Sequence, residues 1–165
     1  MNVEIRELSF EDFDLLLEIE NDKNVWKVSN TTSEFTKDEI EYFISKNTID
    51  GLNDGQKRWV ISLDNKSIGF IDLFDFDAKN KRAGIGIIIH KDYRNKGFAK
   101  IALEKFILFS KNKLNLHQLY CSILTDNTYS TSLFTKQGFK ESGIRKDWTF
   151  HEGEYFDEIF FQLIF

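Results

Sequence analysis

Residues 3–8 (VEIREL) alternate apolar and polar positions, the period of a half-buried strand. Ser9 followed by Asp12 has the spacing of a capping box, and Phe13, Leu16 and Leu17 then fall on one helical face. A second helix is predicted over 37–47, with Thr36 as cap, Glu39 at its third position and Ile40, Phe43 and Ile44 as its apolar stripe. Residues 51–55 read as a loop. Residues 58–63 (RWVISL) and 67–76 (SIGFIDLFDF) read as strands joined at Asp64-Asn65. In the second of these, Ile68, Phe70 and Asp72 share one face, and Ile71, Leu73 and Asp75 lean to the other. After the polar turn DAKNK, residues 82–90 (RAGIGIIIH) read as a strand whose apolar end is buried on both faces. Residues 91–96 form a charged loop, and a long helix starts near Gly97. Residues 116–123 predict another strand, Asp126 caps a helix ending near Gln137 with Gly138 as its stop, and 139–149 and 155–164 form the last two strands. The order is strand, two helices, three strands, helix, strand, helix, two strands, a mixed α/β domain spanning 1–165.

Composition narrows the function classes. With 41% hydrophobic and 30% charged residues the chain reads as one soluble domain. A net charge of −5 argues against a general nucleic-acid binder. The acidic, amphipathic N-terminus lacks the features of a signal peptide, and no apolar run is long enough to span a membrane, so a cytoplasmic location is expected. The single Cys121 cannot form an internal disulfide and reads as a buried strand residue. His90, His117 and His151 lie on separate elements without zinc-ligand spacing, so no metal is expected.

The sharpest chemistry lies in Arg94-Asn95-Lys96-Gly97-Phe98-Ala99, which follows a strand and opens a helix. Such a junction exposes unpaired backbone N–H groups at the positive end of a helix dipole. Gly97 permits close backbone approach, and Arg94 and Lys96 add charge-assisted contacts, which together suit a pyrophosphate. The same hexapeptide also fits a plain strand-to-helix connection with solvated cations. It lacks the Gly-Lys-Ser/Thr ending of a Walker loop. Gly84 and Gly86 lie inside a strand, where a bulge or a close approach explains them better than a dinucleotide fingerprint.

Arg94–Ala99 resembles the Arg/Gln-x-x-Gly-x-Gly/Ala acetyl-CoA loop of the GNAT N-acetyltransferases. The resemblance covers essentially the whole chain, including the element order, the helix after Gly97 and the segment Asn127…Phe134-x-x-x-Gly138-Phe139. Residues 114–120 (LNLHQLY) and Gly153-Glu154-Tyr155-x-Asp157 are similar to the branch containing spermidine and ribosomal-protein N-terminal acetyltransferases. It implies a mostly antiparallel sheet of six to seven strands, about four flanking helices, and a splay between the strands ending at His90 and starting near His117. It implies that Ile87, Ile88 and Ile89 pair with the pantetheine arm and that N–H groups from Arg94, Asn95, Lys96, Gly97, Phe98 and Ala99 cradle the pyrophosphate. Asn127 is then expected to hydrogen-bond the pantetheine, with Phe134 and Lys136 on the far side of the channel. The implied reaction is direct attack of a neutral amine on the thioester of acetyl-CoA.

The chain departs from that family at two positions. Many relatives carry a tyrosine where Phe134 stands, and some polyamine enzymes carry a glutamate where Gly84 stands. Neither replacement can move a proton. Positioning alone, a substitute among Tyr129, Tyr155, Asp72 and Asp75, or an acyl-CoA-binding module without turnover are the alternatives. The acceptor is a polyamine or other small amine, or a protein N-terminus. Residues 1–41 carry a local charge of −8, with Glu18, Glu20, Asp22, Glu34, Asp38 and Glu39 near the first two helices, which favours a cationic acceptor. Residues 26–35 (WKVSNTTSEF) are thinner in acidic and aromatic residues than the spermidine enzymes, which weakens the case for spermidine. Trp26 and Trp148 are candidates to flank the acceptor. The final run IFFQLIF reads as a buried strand or part of a homodimer interface. Residues 91–113 carry a local +5, placing the chain's basic charge at the proposed phosphate site.

Overall fold

The computed structural model describes residues 2–49 and 51–165. Seven strands form one sheet: β1 (Val3–Glu7), β2 (Lys57–Leu63), β3 (Lys66–Asp77), β4 (Arg82–Ile89), β5 (Gln118–Leu124), β6 (Lys140–His151) and β7 (Glu154–Ile164). Their spatial order is β1-β2-β3-β4-β5-β7-β6. Every neighbouring pair is antiparallel except β4–β5, which is parallel. The helices are α1 (Phe13–Glu20), α2 (Lys23–Ser29), α3 (Lys37–Ile49), α4 (Phe98–Asn112) and α5 (Thr128–Lys136).

Central strands are buried on both faces, which is why β2 and β3 read as nearly continuous apolar runs. On one face Trp59, Ile61, Ile71, Leu73 and Ile85 pack under Ala102, Leu103 and Phe106 of α4, and Phe134 of α5 joins this core. On the other, Val60 and Phe70 pack under Leu16 and Ile19 of α1 and Ile40 and Ile44 of α3. The expected capping box of α3 forms: the Thr36 N–H donates to Glu39 Oε2 at 2.8 Å, and the Glu39 N–H donates to Thr36 Oγ1 at 3.2 Å. At the other capping box, Asp12 does more than cap. Its buried carboxylate accepts from Arg6 Nη2 (2.6 Å) and Nη1 (2.9 Å), the Ser67 hydroxyl (2.7 Å) and the Ser9 N–H (3.0 Å), tying β1 to β3.

Four expectations are corrected. The helix α2 was not anticipated; its short segment KNVWKVS buries only Val25 fully, and its ends are set by the Asp22 side chain accepting from the Asn24 N–H and by Asn30 in the left-handed region (φ 55°). The cap of α5 is Asn127, whose side chain accepts from the Ser130 N–H, rather than Asp126, which pairs with Lys27 at 2.5 Å. The apolar end of β4 is half-buried at Ile87 and Ile88, which line the open cleft along the edge that β5 leaves unpaired. The last strand is mostly half-buried, with only Phe161 in the deep core, since the hairpin it forms with β6 has one open face. The Cys121 thiol is buried, and that burial pushes it up to about 12. Among the described residues, no helix is long and apolar enough to cross a membrane.

Candidate active site

β4 pairs with β5 only at Arg82, Ala83 and Gly84, opposite Gln118, Leu119 and Tyr120. Beyond Gly84 the two strands part, leaving one edge of β4 without a strand partner. Ile87, Ile88 and Ile89 line the resulting cleft, which measures about 920 Å³. Unpaired strand edges are templates for another hydrogen-bonding chain, and here an extended amide-bearing arm has room to lie.

The cleft ends at the junction singled out in the sequence. Asn95 (φ 60°) and Gly97 (φ 82°) both adopt left-handed backbone, turning the chain into α4. Among the described residues, nothing accepts the N–H groups of Asn95 through Lys100; the first paired amide of the helix is Ile101, which donates to Gly97. Six consecutive unpaired donors at a helix N-terminus, with its partial positive charge, are the chemistry an anion needs. The Arg94 side chain lines the cleft and donates to the Ile89 carbonyl at 2.8 Å, while Lys96 donates to the Asp92 carbonyl at 2.8 Å over the Tyr93 ring. Ala99 lines the cleft and Phe98 is buried beside it.

The opposite half of the cleft lies under α1, α2 and α3. Its walls are apolar, and its polar centre is an ion-paired triad. Arg58 of β2 donates to both oxygens of Asp72 of β3, from Nε and Nη2, each at 2.6 Å. Its third nitrogen, Nη1, pairs with Oε1 of Glu20 at the end of α1. The guanidinium lies 5.2 Å from the ring centre of Phe43 and 5.4 Å from that of Phe70. Burial opposes its charge, but the two carboxylates outweigh burial and raise its pKa. Arg58 was not foreseen. The available signal was one charge at the head of the apolar run RWVISL and an opposite charge inside the next such run.

The remaining expected residues separate into groups. Asn127, Tyr129, Ser130 and Leu133 line the cleft from the α5 side. Phe134 lies behind them, buried edge-on against Phe139 with ring centres 5.1 Å apart, and Lys136 is exposed at the helix end. Asp72 and Asp75 are not brought together. Asp75 sits in a bulge of β3 with φ 47° and accepts from the Tyr120 hydroxyl at 3.2 Å, in a separate polar groove with Arg82 and Arg145. Burial and the Asp75 charge push that tyrosine up to about 12. Tyr155 is exposed against Phe150. Trp26 donates to the Glu20 carbonyl at 3.0 Å, and Trp148 lies exposed on β6 under Arg145. Of the acidic residues near the first helices, Glu20 and Glu39 line the cleft, whereas Glu18 pairs with His90 at 2.9 Å.

Gly84 has a structural reason to lack a side chain. A Cβ there would fall 2.1 Å from a ring carbon of Phe74, so the ring fills the space that a glutamate would need. Gly84→Ala is expected to destabilise the fold by about 1–3 kcal/mol by overpacking, and Phe74→Ala in the same chain is expected to recover much of that loss. Urea unfolding of the two single variants and the double variant checks this; equal losses in both Gly84 backgrounds would contradict the packing.

Residues 2–140 match the model of the acetyltransferase (GNAT) domain. The chain is 26% identical to a spermidine N(1)-acetyltransferase of Vibrio cholerae, over 93% of this chain and 87% of that one. It is 27% identical to an uncharacterised N-acetyltransferase, YnaD, of Bacillus subtilis, over 97% of this chain and 92% of that one. Its fold superposes on the crystal structure of a Vibrio cholerae spermidine N-acetyltransferase in complex with CoA and spermine with a TM-score of 0.91, at 24% identity, covering 98% of this chain and 95% of that one. With an open sheet, a run of unpaired amides at the end of its cleft and a family match over most of its length, the chain belongs to the GNAT family of acetyl-CoA-dependent N-acetyltransferases.

Proposed function

We propose that this enzyme acetylates a small primary amine, with acetyl-CoA laid along the free edge of β4 and the amine held in the half of the cleft under α1–α3. The run of unpaired N–H groups from Asn95 to Lys100, at the end of the cleft that Ile87–Ile89 line, carries this reading. Arg94 and Lys96 add positive charge beside the cradle, and Asn127 offers a side-chain amide at the cleft wall. The acetylated polyamine of the Vibrio cholerae relative is consistent with a small amine as acceptor; a peptide N-terminus is the competing acceptor.

Transfer needs an unprotonated amine, a polarised thioester oxygen and a stabilised thiolate. Asp72 is a poor base, because both of its oxygens are occupied by Arg58. Glu20, at the centre of the cleft beside Arg58, keeps Oε2 without a protein partner among the described residues, so that oxygen is available to receive an ammonium. Phe134 offers no hydroxyl. Tyr129, on the first turn of α5 at the cleft wall, takes over protonation of the leaving thiolate in this reading. Tyr129→Phe is expected to lower kcat by about a hundredfold and leave the KM for acetyl-CoA unchanged. An unaltered kcat removes Tyr129 from the chemistry. Thiol release from acetyl-CoA, measured against a panel of amines and peptides with mass spectrometry of the products, tests the activity itself. Confirmed acetyl-CoA binding with no product from any acceptor would overturn it.

A further inference from the structure

The half of the cleft under α1–α3 has unusual charge for a site that is to take an amine. Leu16, Ile19, Val28, Phe35, Ile40 and Phe43 supply apolar walls. Three carboxylates reach it, from Glu20, Glu39 and Asp72. Their oxygens are largely spent on the protein itself. Asp72 gives both to Arg58. Glu39 gives Oε2 to the N–H and hydroxyl of Thr36. Glu20 gives Oε1 to Arg58 and keeps Oε2.

Arg58 is therefore a resident cation in the acidic part of the cleft. It is fixed there by three ionic contacts and by the faces of Phe43 and Phe70. Glu20, Arg58 and Asp72 together carry one net negative charge, and the further lining charges of this half, Glu39 and Lys46, are opposite in sign and leave that sum unchanged. An acceptor with one ammonium matches that charge. An acceptor with three would bring two further charges against largely apolar walls, where among the described residues Glu39, already holding Thr36 through Oε2, is the one further carboxylate to meet them, and unpaired buried charge is strongly disfavoured.

We infer that Arg58 is the specificity-determining residue of this enzyme, and that it restricts the acceptor to a primary monoamine with an apolar body, whose ammonium is anchored by Glu20. This rests on the acetyl-transfer reading above and deepens it by naming the acceptor class. The body of the amine lies between Phe35, Val28 and Phe43; its single nitrogen gives a proton to Glu20 Oε2 and, now neutral, turns its lone pair toward the β4 edge at Gly86, which carries no side chain.

The test compares the full-length protein with Arg58→Gln, Arg58→Lys and Glu20→Gln. Thiol release is measured with hexylamine, phenylethylamine and spermidine, and acetyl-CoA affinity is measured by calorimetry. The wild-type kcat/KM is expected to favour the two monoamines over spermidine by about tenfold or more. Arg58→Gln, which exposes two carboxylates, is expected to shift that ratio toward spermidine by about tenfold. Arg58→Lys, keeping the charge, holds the wild-type order. Glu20→Gln raises the monoamine KM without changing acetyl-CoA affinity. A wild-type preference for spermidine, or an unmoved ratio in Arg58→Gln, overturns the inference while leaving the transferase reading intact. If Arg58→Gln fails to fold, the wild-type ratio and the Glu20→Gln split still decide it. Acetyl-CoA binding without acetylation of any of the three amines or of a peptide overturns both readings.

Discussion

Replacing Gly97 by valine is expected to remove acetyl-CoA binding while the protein stays folded. Gly97 holds φ 82° and ψ −2°, a left-handed conformation that a β-branched residue strongly resists. A Cβ there meets nothing within 4 Å, so the variant has no clash with its own fold. Its strain of about 1–2 kcal/mol is relieved by turning the peptide units on either side. Those are units whose unpaired N–H groups the proposed function assigns to the acetyl-CoA phosphates. Calorimetry should show acetyl-CoA affinity falling by about a hundredfold or more, the scale of losing two or three charge-assisted hydrogen bonds. Thermal unfolding should shift by only a few degrees. Gly97→Asn, which tolerates left-handed backbone, should retain more affinity than valine. Unchanged binding in the valine variant would take the phosphate cradle away from this loop.

Asp12→Ala is the substitution expected to cost the most stability. It strips the shared acceptor from Arg6, the Ser67 hydroxyl and the Ser9 N–H, leaving only the Arg6–Ser67 contact between them. Breaking a buried ion pair costs about 3–5 kcal/mol, and the lower end applies because Arg6 keeps about a third of its side chain in water. Chemical denaturation measures this directly. The same site predicts an acid limb. Burial pushes Asp12 up, but the hydrogen bonds from Arg6, Ser67 and Ser9 outweigh it and hold the carboxyl below its usual range. A carboxyl lowered in the folded state contributes stability that is fully present above its unfolded pKa of about 3.9 and is lost as the pH falls through the folded value. Asp12→Asn should flatten the stability profile in that acid range. A variant as acid-sensitive as the wild type would show that other groups set the limb.

The contrast between what sequence reading reached and what it missed follows from range. Strands β2 to β5 were legible to within two residues because their apolar runs are bounded by local turns at Asp64-Asn65 and DAKNK. The loop from Arg94 to Ala99 was legible because its glycine and its cations are adjacent in the chain. By contrast, α2 has seven residues and no apolar stripe, so its identity lives in two end caps. Arg58 became visible as a site residue only once β2 and β3 were paired and α1 was laid across them, since its partners lie 14 and 38 residues away. Gly84 looked like a lost glutamate until the register set it opposite Phe74. The half-exposed end of β4 had no local signal either, because the divergence of a neighbouring strand is not written in the strand itself.

That divergence has a mechanical side. The backbone joins the two parts of the sheet at three residue pairs, yet the core beneath them is unbroken: Ile85 from one side and Leu119, Cys121 and Phe161 from the other pack into the same cluster with Leu103 of α4. With three backbone pairs alone across the split, the volume of the side chains packed beneath it shares in setting the opening, as a wedge sets the gap between two boards. Close-packed interiors transmit strain rather than absorb it. A methyl group added or removed beneath the split would change the width of the slot above it, so the geometry presented to the acyl donor is tuned from the far side of the sheet, by residues that never touch it.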